Sequence, residues 1–212
     1  MDNFKHIFTP LKIGRMTVKN RIETAPCVPF LASIDGDASR ELIEWERALA
    51  RGGAAIVTIG DSPIMDETAS KVGHILNLGI DRTIGALNRL AEAIQRYGAK
   101  ASIELTYFDP GVQYSPNDLT LEEIKFITDN YAKAAYRCLN GGMDMIMIHG
   151  AHGHLISQFL SPRRTGVPML TGGVLRTGQG SPPECSKLSG TGWAIGWRLS
   201  TASAPTSWCP AA

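Results

Sequence analysis

Thr120-Leu-Glu-Glu123-Ile-Lys-Phe-Ile-Thr-Asp-Asn-Tyr-Ala-Lys-Ala-Ala-Tyr-Arg-Cys-Leu139-Asn-Gly141-Gly142-Met143-Asp-Met-Ile-Met-Ile148-His149-Gly-Ala-His152-Gly-His154 is the stretch that decides the fold. Thr120 and Glu123 stand at capping-box spacing, and a helix over 121–139 follows, stopped by the glycine pair. Met143 to Ile148 is an apolar run of strand length. Directly after it, three imidazoles fall within six residues. A helix feeding a buried strand that ends in polar side chains is the repeating unit of parallel α/β folds.

The same unit recurs upstream. Arg21 to Ala25, Ala54 to Ile59 and Lys100 to Leu105 read as strands. Arg40 to Ala50 has Leu42, Ile43 and Leu49 at helical spacing, with Gly52-Gly53 beyond its end. Asp81 to Tyr97 carries Ile84, Leu87, Leu90 and Ile94 on one face and stops at Gly98. Strand, helix, strand in this order means parallel strands with right-handed crossovers. Four such units make half of an eight-fold βα barrel or a piece of an open sheet. In both, chemistry gathers at the carboxyl ends of the strands. Pro26-Cys27, Gly60-Asp61, Glu104 to Tyr107 and the His149 cluster all fall there.

Composition narrows the function. The net charge of +1 over 212 residues supplies no basic field for nucleic acid. No apolar run reaches the roughly 20 residues of a membrane helix. The start, Met-Asp-Asn-Phe-Lys-His, lacks the order of a secretion signal, so a cytoplasmic location is expected. Cys27, Cys138, Cys185 and Cys209 are widely spaced and read as free thiols. The His149, His152 and His154 spacing has ligand types suited to a metal-dependent hydrolase, but no carboxylate or cysteine lies nearby in sequence to complete the set. Trp45, Tyr131 and Tyr136 stand at helical positions and read as packing residues; His6 and His74 carry no assigned role.

From Arg163 the text changes. Residues 163–212 hold eight glycines, one acid (Glu184), three of the four tryptophans, and no histidine, tyrosine or phenylalanine. No strand or helix period persists, so a disordered tail is the compositional expectation. Three tryptophans with almost no acids also fit a gene read out of frame. Taking the last base of each codon with the first two of the next permits Asn-Arg-Arg-Thr-Asp-Ala-Tyr-Gly-Gly-Ser from Thr165 onward, followed by an amphipathic helix and a strand. A single base lost near codon 164 produces the change.

Residues 4–162 resemble the old yellow enzyme family, in its branch of bacterial NADH:flavin oxidoreductases that includes dienoyl-CoA reductases and N-demethylases. The resemblance rests on Phe8-Thr-Pro-Leu-Lys-Ile-Gly, on Lys19-Asn-Arg-Ile with Ala25-Pro26, and on His149-Gly-Ala-His152-Gly with Gln158-Phe-Leu-Ser-Pro162. The shifted frame adds the family's next block, Asn-x-Arg-Thr-Asp-x-Tyr-Gly-Gly-Ser. The family implies an FMN-binding (β/α)8 barrel, of which 1–162 is the N-terminal half and 163–212 an out-of-frame tail. Its FMN takes hydride from NADH or NADPH and passes it to a small molecule with an electron-poor alkene, or runs in reverse on an N-methyl amine. A 4Fe-4S cluster is expected only in a C-terminal extension outside this chain.

By the same resemblance, Ala25, Pro26, Cys27 and Gly60 let the isoalloxazine lie across the strand ends, and Glu104 meets its pyrimidine edge. His149 and His152 hold the substrate oxygen, and His154 stands where many members have a proton-donor tyrosine. Glu104 replaces a usual glutamine, so it can accept from the flavin N3–H but cannot donate. Thr106-Tyr107-Phe108 also departs from the family pattern. Histidine in the tyrosine's place speaks against a simple ene-reductase and leaves demethylase-like or other oxidations open. Without strands five to eight, the chain is expected to be a poor enzyme or a non-catalytic remnant, with two open sheet edges and a tendency to aggregate.

Overall fold

The computed structural model describes residues 4–108 and 115–161. Its elements are β1 (Leu11–Ile13), β2 (Met16–Val18), β3 (Glu23–Cys27), α1 (Arg40–Arg51), β4 (Ile56–Pro63), α2 (Asp66–Val72), α3 (Thr83–Gln95), β5 (Lys100–Thr106), α4 (Leu121–Asn140), β6 (Met145–Ile148) and α5 (Leu155–Leu160). The expected tail over 163–212, with its proposed change of frame, lies outside the described residues.

β3, β4, β5 and β6 form one parallel sheet in strict chain order. An open doubly wound sheet reverses its order at a switch point; this one does not. Its crossover helices also share one face. Leu42 and Ala50 of α1, Leu87, Leu90 and Ile94 of α3, and Ile127, Tyr131, Ala134 and Cys138 of α4 join a single core with Val57, Ile59, Ala101, Ile103, Leu105 and Ile146 of the strands. Leu87, Leu90 and Ile94 have no exposed surface, so each contributes about 1.5–3 kcal/mol of apolar burial. One-sided winding of consecutive strands is the layout of a barrel wall.

Strand alternation then sorts the residues. Ala101, Ile103 and Leu105 of β5 face the helices, which leaves Ser102, Glu104 and Thr106 on the opposite, concave side. There the Thr58 hydroxyl donates to Glu23 Oε1 at 2.8 Å.

The helix signals behave as their chemistry requires. The Thr120 amide donates to Glu123 Oε2 at 2.7 Å and the Glu123 amide to Thr120 Oγ1 at 3.2 Å, closing the capping box of α4. Gly142 beyond its end has φ +78°, a left-handed value that glycine adopts without Cβ strain.

Four elements escape the sequence reading. β1 and β2 pair as an antiparallel hairpin whose Met16 and Val18 pack on Ala55, Ile56 and Met145, sealing the amino ends of the strands. The short helices α2 and α5 follow β4 and β6. The first strand runs 23–27 rather than 21–25, which brings Pro26 and Cys27 into the sheet. Among the described residues no helix is long and apolar enough to cross a membrane.

Candidate active site

The strand ends bring the expected residues into one row. Cys27 closes β3, Gly60 lies in β4, Glu104 in β5, and His149 follows β6, its amide still bonded to Leu105 O at 3.0 Å. The ladder shifts register between Thr24 and Cys27 and again between Ile59 and Ser62, so both strands bend at the site. A Cβ on Gly60 would lie 2.4 Å from the Cys27 backbone nitrogen. The glycine is therefore required by close approach of β3 and β4, a reason independent of any cofactor. Ala25 and Cys27 are exposed and Pro26 half-buried along the edge strand.

The imidazoles are arranged unequally. His149 is 6% exposed; its Nδ1 accepts from the Ala151 amide at 3.2 Å. In the neutral ring its proton must then sit on Nε2, which lies 3.0 Å from His152 Nδ1. His149 thus donates to His152, and the remaining proton of His152 is carried on Nε2, the nitrogen not engaged in that bond. Burial is the main cause that pushes His149 down to about 4, helped by the His154 and His152 imidazoles and opposed by Asp61. The 3.8 Å approach of His149 Nδ1 to Glu104 Oε1 is therefore a contact between two acceptors and not an ion pair. Within the pair expected to hold a substrate oxygen, His149 therefore also holds His152.

His154 is the N-cap residue of α5 but makes no capping bond with its side chain. Its Nδ1 instead lies 3.3 Å from Thr106 Oγ1. Its ring sits 4.5 Å from that of His149 and 5.1 Å from that of Phe108. Burial holds it below the ordinary histidine range.

Two carboxylates complete the cluster. The Asp61 amide donates to Glu104 Oε2 at 3.2 Å. Both acids are raised, chiefly by burial; the Asp61 amide opposes the rise at Glu104, and the His149 imidazole opposes it at Asp61. Asp61 and His152 have φ +37° and +55°, left-handed values costing on the order of 1–3 kcal/mol each. Residue type alone assigns no role to Asp61 or Thr106, although both stand at strand ends. The available signal was a charged residue inside the apolar run of β4.

Glu104 Oε1 has no hydrogen bond among the described residues, so the end of the third strand offers one free carboxylate acceptor. That suits a ring N–H such as the flavin N3–H, so this acceptor fits the pyrimidine edge of FMN. Among the described residues no group of three or more histidines, cysteines and acids is placed to hold a metal ion.

With this geometry in view, the sequence profile of the NADH:flavin oxidoreductase / NADH oxidase family matches residues 6–110 and 109–166. An NADH oxidase from Thermoanaerobacter brockii is 32% identical over 184 residues, covering 77% of this chain and 28% of the relative. An NADPH dehydrogenase from Listeria monocytogenes serotype 4a (strain HCC23) is 35% identical over 179 residues, covering 74% of this chain and 51% of the relative. The crystal structure of the old yellow enzyme from Pichia sp. AKU4542 superposes with a TM-score of 0.68 at 20% identity, over 79% of this chain and 52% of that one. The chain thus spans about half, or less, of the length of these relatives. It belongs to the NADH:flavin oxidoreductase / NADH oxidase family, the old yellow enzymes, and its described residues form the N-terminal half of that family's TIM barrel.

Proposed function

We propose that this chain contributes half of the active site of an FMN-dependent NAD(P)H oxidoreductase acting on a small molecule, either an electron-poor alkene or, in the oxidising direction, an N-methyl amine. The observation that carries the reading is the chain of donors Ala151 N–H to His149 to His152. It fixes an imidazole N–H at the concave strand ends, where a substrate carbonyl gains negative charge during alkene reduction. FMN, when bound, supplies the hydride chemistry. The protein's part is to accept the ring N–H at Glu104, to hold the substrate oxygen with His152, and to move a proton through His154. The metal-dependent hydrolase reading draws no support from imidazoles bonded to one another and to Thr106.

We also propose that the complete enzyme is encoded with one more base near codon 164, and that residues 1–212 alone lack the second half of the flavin site. The test is to express the gene with that base restored and assay NADH- and NADPH-dependent reduction of an α,β-unsaturated carbonyl compound, alongside oxidation of an N-methylated amine. Turnover of either class, reduced at least about 100-fold in His152→Ala, is the expected result. A flavin-free protein with neither activity would overturn the reading.

A further inference from the structure

Phe108 and Thr68 have no role in the reading above, yet both bear on His154. Phe108 stands two residues beyond the end of β5, and both Thr106 and Phe108 reach the same imidazole. Thr106 Oγ1 lies 3.3 Å from His154 Nδ1. The Phe108 ring centroid lies 5.1 Å from that of His154, with the planes inclined by 39°. The His149 ring approaches His154 at 4.5 Å, and no ring contact joins Phe108 to His149 among the described residues. The two rings therefore meet His154 from different sides. A specific tie holds Phe108 there. The Thr68 hydroxyl of α2 donates to the Phe108 carbonyl at 2.8 Å, and Thr68 is 5% exposed. α2 buries only Thr68 and Ala69, so it has no apolar face that would dock it by core packing. Its first residue is anchored in turn, with Asp66 Oδ1 accepting from Asn77 Nδ2 at 2.6 Å.

We propose that Phe108, held by Thr68, is a positioning residue for His154: its ring braces the imidazole beside Thr106 and keeps water from the side turned away from His149. The centroid separation is that of a favourable aromatic pair. An imidazole bonded at Nδ1 and flanked by rings on two sides has little room to swing. A proton carrier needs that fixed aim. Replacing water by an apolar ring also disfavours the charged imidazole. A ring face can instead attract an imidazolium, but that would raise His154, and burial, its largest influence, holds it below the ordinary range. Shielding is therefore the larger effect of the two. The other groups facing His154 are Asp61 of β4 and Glu104 of β5, which favour its charged form, and His152, which disfavours it; His149 is itself pushed down to about 4. None of them bonds to Thr68 or Phe108 among the described residues.

The inference deepens the proposed function and rests on it only for the role of His154 as a proton carrier. The brace itself is tested without flavin. The full 212-residue chain is labelled with nitrogen-15 at histidine, and the ring nitrogens are titrated by NMR in solution or in the solid. The His154 signals are assigned by their loss in His154→Gln. The expected result is a wild-type His154 that titrates below 6.5, with a midpoint that rises toward 6.5 in Phe108→Ala and in Thr68→Val. Thr68→Ser keeps the hydroxyl and should keep the wild-type midpoint, a rescue that a merely space-filling Thr68 would not show. His149 should stay lowest in every variant. Thr68→Val preserves side-chain shape and touches no ring, so it carries the test should Phe108→Ala fail to fold. A wild-type His154 titrating at 6.5 or above overturns the proposal. So does a midpoint unmoved or lowered in Thr68→Val or in folded Phe108→Ala. The expected midpoints in a complete enzyme with no redox activity would sink the proposed function and leave this brace standing.

Discussion

His149 Nε2 and His152 Nδ1 face each other at 3.0 Å, and the Ala151 amide bonded to His149 Nδ1 decides which ring owns the proton between them. The inner histidine is a fixed donor, and in the proposed site the outer one is the group that would meet substrate. Truncating them should therefore have different consequences. In the complete enzyme, His152→Ala is expected to lower kcat by about 10²–10³-fold, the cost of removing one donor to a developing oxyanion. His149→Ala, which only frees the tautomer of His152, should give a smaller loss. Steady-state kinetics on both variants check the order; a larger loss in His149→Ala contradicts it.

Histidine burial sets an acid limit on stability. His149 is held at about 4, below the ordinary 6.5, chiefly by burial. The unfolded chain binds this proton more readily, so the contribution is complete above pH 6.5 and is lost as pH falls through about 4. The full loss is about 3 kcal/mol. Denaturant melts between these values should show stability falling toward acid, and His149→Gln should flatten that part of the curve.

Glu46 works in the opposite direction. It is 1% exposed in α1, its Oε2 has no partner among the described residues, and burial raises it to about 8. The folded state favours the protonated acid, so this contribution is complete below pH 4.5 and is lost as pH rises through about 8. Glu46→Gln should raise the melting temperature at pH 8 by several degrees and by much less at pH 5. Equal shifts at both values would contradict the assignment.

Glycines in this chain are not interchangeable. Gly60→Ala places a methyl 2.4 Å from the Cys27 backbone and should cost about 1–3 kcal/mol as the strands separate. Gly85 in α3 meets nothing nearer than Arg89 Nη1 at 3.8 Å. Gly85→Ala should stabilise by about 0.4–1 kcal/mol. Thermal melts of the two variants should move in opposite directions.

Much of this architecture is legible in the chain because its signals are long. α3 and α4 span several turns with apolar faces, and α4 has a complete capping box, so the sequence marks the ends of both to within about two residues. β1 and β2 are three residues each, too short for alternation to stand out. α2 buries only Thr68 and Ala69, which is no apolar face. The site shows the same division. Glu104 and the histidines announce themselves by type and place at strand ends. The unequal arrangement of His149 and His152 depends on which nitrogen the Ala151 amide meets, a detail that residue type does not show. Asp61 joins the cluster because β4 shifts register after Ile59, an event with no mark in residue type.

The most direct test of the central claim, that these strand ends hold a flavin against Glu104, is the flavin content of the frame-restored protein and of its Glu104→Ala variant. The account predicts a yellow protein with FMN bound one to one, and a folded variant that loses FMN on dilution far more readily. A colourless wild type, or FMN retained equally by both, would contradict it.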